Sequence, residues 1–77
     1  ILSEMKSHSA VVAAQLRQAR KNAGMSLADV AERAGMTKQA ILKIESGQNA
    51  NPKIDTLLRI AEAIGKSIKI EVVDVAL

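Results

Sequence analysis

The chain has 77 residues, with 11 Lys and Arg against 8 Asp and Glu for a net charge of +3 and a pI near 9.6. It has no cysteine, which excludes a disulfide framework and a thiolate metal site and fits a reducing setting, and no aromatic ring to stack on an unpaired base. One small domain with a marginal core is expected, supported by oligomerisation, while the mild basic bias suits either a nucleic acid or a plain solvated surface.

Residues 1–8 read as a mixed polar, mobile N-terminal tail, with His8 in solvent rather than serving as a ligand or a base. The tail lacks the charged-then-apolar pattern of a secretory signal, and no apolar run is long enough to span a bilayer, so a cytoplasmic protein with no membrane partner is expected. Ile rather than Met at position 1 leaves room for residues upstream.

Ser9 is placed to cap a first helix whose apolar positions Val12, Leu16, Ala19 and Ala23 recur at helical spacing up to Gly24. Ser26 and Asp29 form a capping box for a second helix, striped by Leu27, Val30, Ala31 and Ala34 and closed by Gly35. Thr37 can cap a third helix with Ile41 and Ile44 inward and Gly47 after its last turn. The segment QNANPK is a loop by composition. A fourth helix follows over Ile54–Ile64, with Ile54, Leu57, Leu58, Ala61 and Ile64 expected inside and Gly65 at its end. The closing stretch SIKIEVVDVAL alternates apolar with charged residues and reads as a strand, with the alternation slipping at Val72 and Val73. A strand alone leaves backbone N–H and C=O groups unpaired, so it calls for a partner.

The informative segment is LADVAERAGMTKQAILKIE, residues 27–45. Two short helices joined through a glycine make a helix-turn-helix, whose second helix is held out to enter the DNA major groove. Ala31 is small where the helices cross, Gly35 can take the positive φ of the turn, and Val30, Met36, Ile41 and Ile44 bury the unit on the rest of the domain. A purely structural helical hairpin meets some of these requirements but not all together.

Removing Ile41 and Ile44 from the third helix leaves Lys38, Gln39, Leu42, Lys43 and Ser46 on one face. Gln39 can make paired hydrogen bonds to adenine, Lys38 or Lys43 can donate to guanine, and Leu42 can touch a thymine methyl. The alternative for the lysines is ordinary solvation, and for Leu42 an unremarkable exposed leucine. Register on the duplex needs phosphate contacts as well, for which Ser26, Thr37, Ser46, Asn49, Asn51 and Lys53 are the candidates. Lys53 stands where a capping residue would suit the fourth helix better and where a cation opposes the helix dipole. A bound anion would explain it, and so would drift.

The stretch LRQARKNAGMSLADVAERAGMTKQAILKIESGQNANPKIDTLLRIAEAIG resembles the Cro/cI-type, or Xre, helix-turn-helix family over about residues 10–65. It has the family's arginine-bearing first helix, its SLADVAERAG second helix, its T..AI..IE.G recognition helix and its P....L..IA.A.G fourth helix. The resemblance implies a mainly α, lambda-repressor-like bundle of four helices over residues 9–66. It also implies base or phosphate contacts from Thr37, Lys38, Gln39, Leu42 and Lys43, and a structural ion pair between Arg20 and Glu45. That pair makes sense on its own terms, since Glu45 at a helix C-terminus opposes the dipole unless a cation meets it. Leu27 departs from the pattern, standing where several relatives place a polar residue that helps contact DNA.

A terminal strand in place of a fifth helix looks like antitoxins of the HipB and HigA kind. That likeness implies a homodimer in which Ile68, Ile70, Val72 and Val73 of residues 67–77 pair antiparallel with the same strand of a second copy. The expected function is a transcriptional repressor that reads a near-palindromic double-stranded operator with half-sites about 34 Å apart, as the antitoxin of an operon it autoregulates with a cognate toxin as partner. The alternatives are a phage-type or metabolic regulator, or a protein-binding adaptor that does not read DNA. No cofactor or metal is expected. With one histidine, no cysteine and no glycine-rich phosphate loop, the chain offers no constellation for an enzyme.

Overall fold

Helix α1 (His8–Asn22) is the first element of the computed structural model, which describes residues 8–49, 51–69, 72 and 74. Its alanine-rich sequence favours helix, and Ala13 and Leu16 are buried while Val12 and Ala19 are half-buried against the core. Ser9 lies inside the helix instead of capping it, since the helix already includes His8. His8 accordingly belongs to α1 rather than to the expected tail, whose residues 1–7 lie outside the described residues. Ala23, expected on the inward stripe, falls after the helix end and is exposed.

Helix α2 (Leu27–Ala34) starts from the expected box: the Asp29 N–H donates to Ser26 Oγ at 3.0 Å, and the Ser26 N–H donates to Asp29 Oδ2 at 2.9 Å. It buries Val30, Ala31 and Ala34, and Leu27 packs half-buried against the core. At its end Gly35 takes φ +66°, so that the Met36 N–H reaches back to the Ala31 carbonyl at 2.9 Å and the chain reverses within two residues. A Cβ added to Gly35 would meet nothing within 4 Å, so the requirement for glycine there is one of backbone conformation and not of space.

Helix α3 (Lys38–Glu45) is capped by Thr37, whose Oγ1 accepts from the Ala40 N–H at 3.1 Å, and it buries Ile41 and Ile44. Helix α4 (Ile54–Ile64) buries Leu57, Ile60, Ala61, Ala63 and Ile64. Two residues expected inside are not. Ile54 is 56% exposed and Leu58 only half-buried, because the inward stripe of α4 is centred between Ile60 and Ala61 and leaves both at its edge.

Both α1 and α2 pack on α3 and α4, and the largest fully buried side chains are Val30, Ile41 and Ile60 from α2, α3 and α4. Burying each stabilises the fold by roughly 1.5–3 kcal/mol. Every buried residue among the described residues is apolar, and no buried side-chain polar atom among them lacks a hydrogen-bond partner.

Residues 66–69 leave α4 without regular structure, and Ile68 settles half-buried against the core beside Val12, Leu16 and Ala19 of α1. No strand occurs among the described residues. A ladder requires a second strand, and this single chain has only one strand-like segment to offer. Val72 is fully exposed, while Ile70 and Val73 lie outside the described residues. No helix among the described residues is long and apolar enough to cross a membrane.

Candidate nucleic-acid interface

The orientation of α3 follows from three constraints. Ile41 and Ile44, 0% and 3% exposed, fix one face to the core. The Gly35 turn and the Thr37 cap fix the start. The C-terminal end is fixed by Arg20, which donates from Nε to Glu45 Oε2 at 2.8 Å and from Nη2 to Glu45 Oε1 at 2.9 Å. Its third donor, Nη1, reaches the Met25 carbonyl at 2.9 Å, so one guanidinium joins α1, the connection before α2 and the end of α3. The two side chains are 11% and 4% exposed. Hydrogen bonding to Glu45 raises the Arg20 pKa above its ordinary value against the opposing effect of burial, and the Glu45 charge adds to the rise.

With α3 held in this way, Lys38, Gln39, Leu42, Lys43 and Ser46 form one continuous exposed face. Leu42 is 47% exposed and is the large apolar residue of that face. The Ser46 hydroxyl donates to the Lys43 carbonyl at 3.4 Å, a local tie that leaves its oxygen able to accept.

The candidate phosphate contacts fall in two groups. Thr37, Asn49, Gln39 and Lys43 line one shallow groove between α3 and the start of α4, together with Thr56. The loop after α3 is folded back on that groove, since the Asn49 N–H donates to the Lys43 carbonyl at 3.0 Å and Asn49 Oδ1 accepts from the Asn51 N–H at 3.2 Å. That leaves the Asn49 NH₂ as a donor at the groove edge. Lys53 is the N-cap residue of α4, is exposed and makes no side-chain capping bond. Ser26 is different, for its hydroxyl is committed to the α2 cap beside the Asp29 carboxylate. The Asp29 pKa is lowered, first by the hydrogen bond from the Ser26 backbone and then by hydrogen bonding with the Ser26 side chain, so the group beside Ser26 is an anion. Thr56 was not among the candidates read from sequence, because a threonine in the first turn of a helix looks like any solvated residue until the loop folds over it.

Among the described residues no group of His, Cys, Asp and Glu is arranged to hold a metal ion. The arrangement is a convex helix face with polar donors and one apolar contact, flanked by a groove with hydroxyl, amide and ammonium groups. Such a surface suits a groove of a duplex rather than an enclosed small molecule.

Comparison with known proteins agrees with this geometry. An uncharacterized HTH-type transcriptional regulator of Methanothermobacter thermautotrophicus is 37% identical over 51 residues, covering 66% of this chain and 72% of that protein. No solved structure matches significantly. The helix-turn-helix family model matches residues 16–70, which takes in part of α1 and all of α2, α3 and α4, and the chain therefore belongs to the helix-turn-helix family.

Proposed function

We propose that the protein is a cytoplasmic, sequence-specific double-stranded DNA-binding regulator that represses transcription, with residues 9–66 as the DNA-binding domain. The observation that carries this reading is the division of α3 between two faces: Ile41 and Ile44 are locked into the core, and Lys38, Gln39, Leu42 and Lys43 stand together in solvent with donors suited to base edges. Thr37, Ser46, Asn49, Asn51 and Lys53 surround that face as phosphate contacts. Ser26 ranks below them because the Asp29 anion stands beside it. The name of the archaeal relative supports a role in transcription.

A dimer over residues 67–77 belongs to this proposal. Ile68, Ile70, Val72 and Val73 would pair with their counterparts in a second copy, and a near-palindromic operator would match the two-fold axis. Val72 is fully exposed, which leaves its side chain accessible to a second copy. Replacing Ile70 with Glu should then shift the protein toward monomer in light scattering. An unchanged mass would reject the interface. The antitoxin role, with a toxin as second partner, rests on the likeness of this tail alone, and the product of the adjoining gene tests it by co-purification.

The DNA reading itself is tested by anisotropy on duplexes from the protein's own upstream region. Gln39→Ala and Lys43→Ala should each weaken binding by roughly tenfold, in line with about 1–3 kcal/mol for a lost base contact. Wild-type affinity in both variants would mean that α3 does not read the bases, and a wild-type chain that binds none of these duplexes would leave it a protein-binding adaptor.

A further inference from the structure

The outward face of α3 has an internal order. At about 100° of rotation per residue, the direction opposite the buried Ile41 and Ile44 passes close to Gln39 and Ser46, with Leu42 about 50° to one side and Lys43 about 50° to the other. Gln39 therefore sits over the floor of any groove the helix enters. Leu42 stands three residues further on, one turn along the same face, where side chains at this spacing are neighbours.

The two side chains call for different things. A glutamine carboxamide pairs with the N6 and N7 edge of adenine, whereas an isobutyl group has no use for a phosphate or a base carbonyl and gains only from another apolar surface. In the major groove that surface is the C5-methyl group of thymine. A protein docking patch is the other use for an exposed leucine, but it requires contiguous apolar area. The remaining residues of this face are Lys38, Gln39, Lys43 and Ser46, and the other large exposed apolar residues among the described ones, Val11, Ile54 and Val72, belong to other segments.

Resting on the DNA-binding reading above, we infer that Leu42 makes the affinity depend on a pyrimidine C5-methyl group beside an adenine held by Gln39. The recognised half-site thus contains an A·T pair read through its methyl. The same contact makes a 5-methylcytosine distinguishable from cytosine at that position.

The test begins with the full chain and a pool of random-sequence duplexes, from which bound DNA is enriched and sequenced. Each thymine of an enriched duplex is then replaced singly by deoxyuridine, which removes the methyl and keeps the pairing. One replacement per half-site should weaken binding about fourfold, the equivalent of losing one buried methyl-sized group. The others should leave it unchanged. At the sensitive position a 5-methylcytosine·guanine pair should bind more tightly than cytosine·guanine. Leu42→Ala, a helix-favouring change at an exposed site, should keep the thermal midpoint and bind the thymine and deoxyuridine duplexes equally. Enriched duplexes that bind the wild-type chain equally with and without every methyl would overturn this inference and leave DNA binding standing. A pool that yields no enriched duplex would overturn it together with the reading beneath it.

Discussion

Helices α2 and α3 are each eight residues long, are each capped by a hydroxyl and are separated by Gly35, Met36 and Thr37, yet their first turns are opposite in charge. α2 begins with Asp29, which answers the free N–H groups and the positive end of the dipole from within the chain. α3 has no acid in its first turn and opens on Lys38. Its start keeps its positive character, which suits a polyanion outside the molecule. The two helices also differ inward, because α2 buries Val30 with two alanines where it meets its neighbours and α3 inserts two isoleucines. Caps and core residues together sort the pair into a supporting helix and a presenting one.

The largest break in this contrast should come from the core side of α3. Ile41→Ala, at a position with no solvent exposure, should lower the unfolding free energy by about 4 kcal/mol in urea denaturation. Much of a small domain's stability would go with it. The same truncation at Leu42 on the opposite face should change the midpoint little, and equal effects at both would mean that the inward and outward faces have been misassigned.

Next in size is the tie at the end of α3. Arg20→Ala should cost about 3 kcal/mol, since it strips a nearly buried carboxylate of both its guanidinium bonds. Glu45→Gln should cost less, because Arg20 keeps its bond to the Met25 carbonyl and gains a neutral acceptor. A double-mutant cycle by denaturation reads the coupling, and additive losses would remove the pair as the anchor of α3.

The turn between the helices comes third. Gly35→Ala should destabilise by about 1–2 kcal/mol, the cost of an L-residue in the left-handed region. Gly35→Asn should recover part of that loss, because asparagine tolerates positive φ and the added side chain meets open space. Equal midpoints for the alanine and asparagine variants would show that the turn tolerates any side chain.

How much of this was legible in the sequence varies along the chain for physical reasons. The ends of α2 and the start of α3 were plain because Ser26, Asp29, Gly35 and Thr37 act on their own backbone within three residues, and such signals survive without tertiary context. The inward face of α4 was not. Seven of its eleven residues are Ile, Leu or Ala on overlapping stripes, so periodicity alone does not mark Ile60 and Ala63 as buried or Ile54 as exposed; only the packing of α1 and α2 decides the rotation. The exposed face of α3 stands out in the sequence only once Ile41 and Ile44 are assigned to the core. Asn49 and Thr56 join Thr37 in one groove through a loop fold that composition does not encode. The tail sets a harder problem, since an alternating segment specifies a strand only when a partner strand exists, and within one chain Ile68 packs half-buried against the core.

The smallest effects separate the two caps by pH. Thr37→Ala should cost about 1 kcal/mol, and by the same amount at pH 5 and pH 3, because the bond from the Ala40 N–H to a hydroxyl involves no titrating group. The α2 cap is linked to acid. Folding lowers the Asp29 pKa below its ordinary 3.8, so its carboxylate holds fewer protons in the folded chain than in the unfolded one. The contribution of Asp29 is therefore fully present above about pH 4 and is lost as pH falls through the lower, folded value. Asp29→Asn keeps an acceptor for the Ser26 N–H and removes the charge. The variant should show a smaller drop in denaturation midpoint between pH 5 and pH 3 than the wild type, while Thr37→Ala shows the wild-type drop. If Asp29→Asn and the wild type lost stability in parallel on acidification, the start of α2 would owe nothing to an anion. The charge contrast between the two helix starts would then have to rest on Lys38 alone.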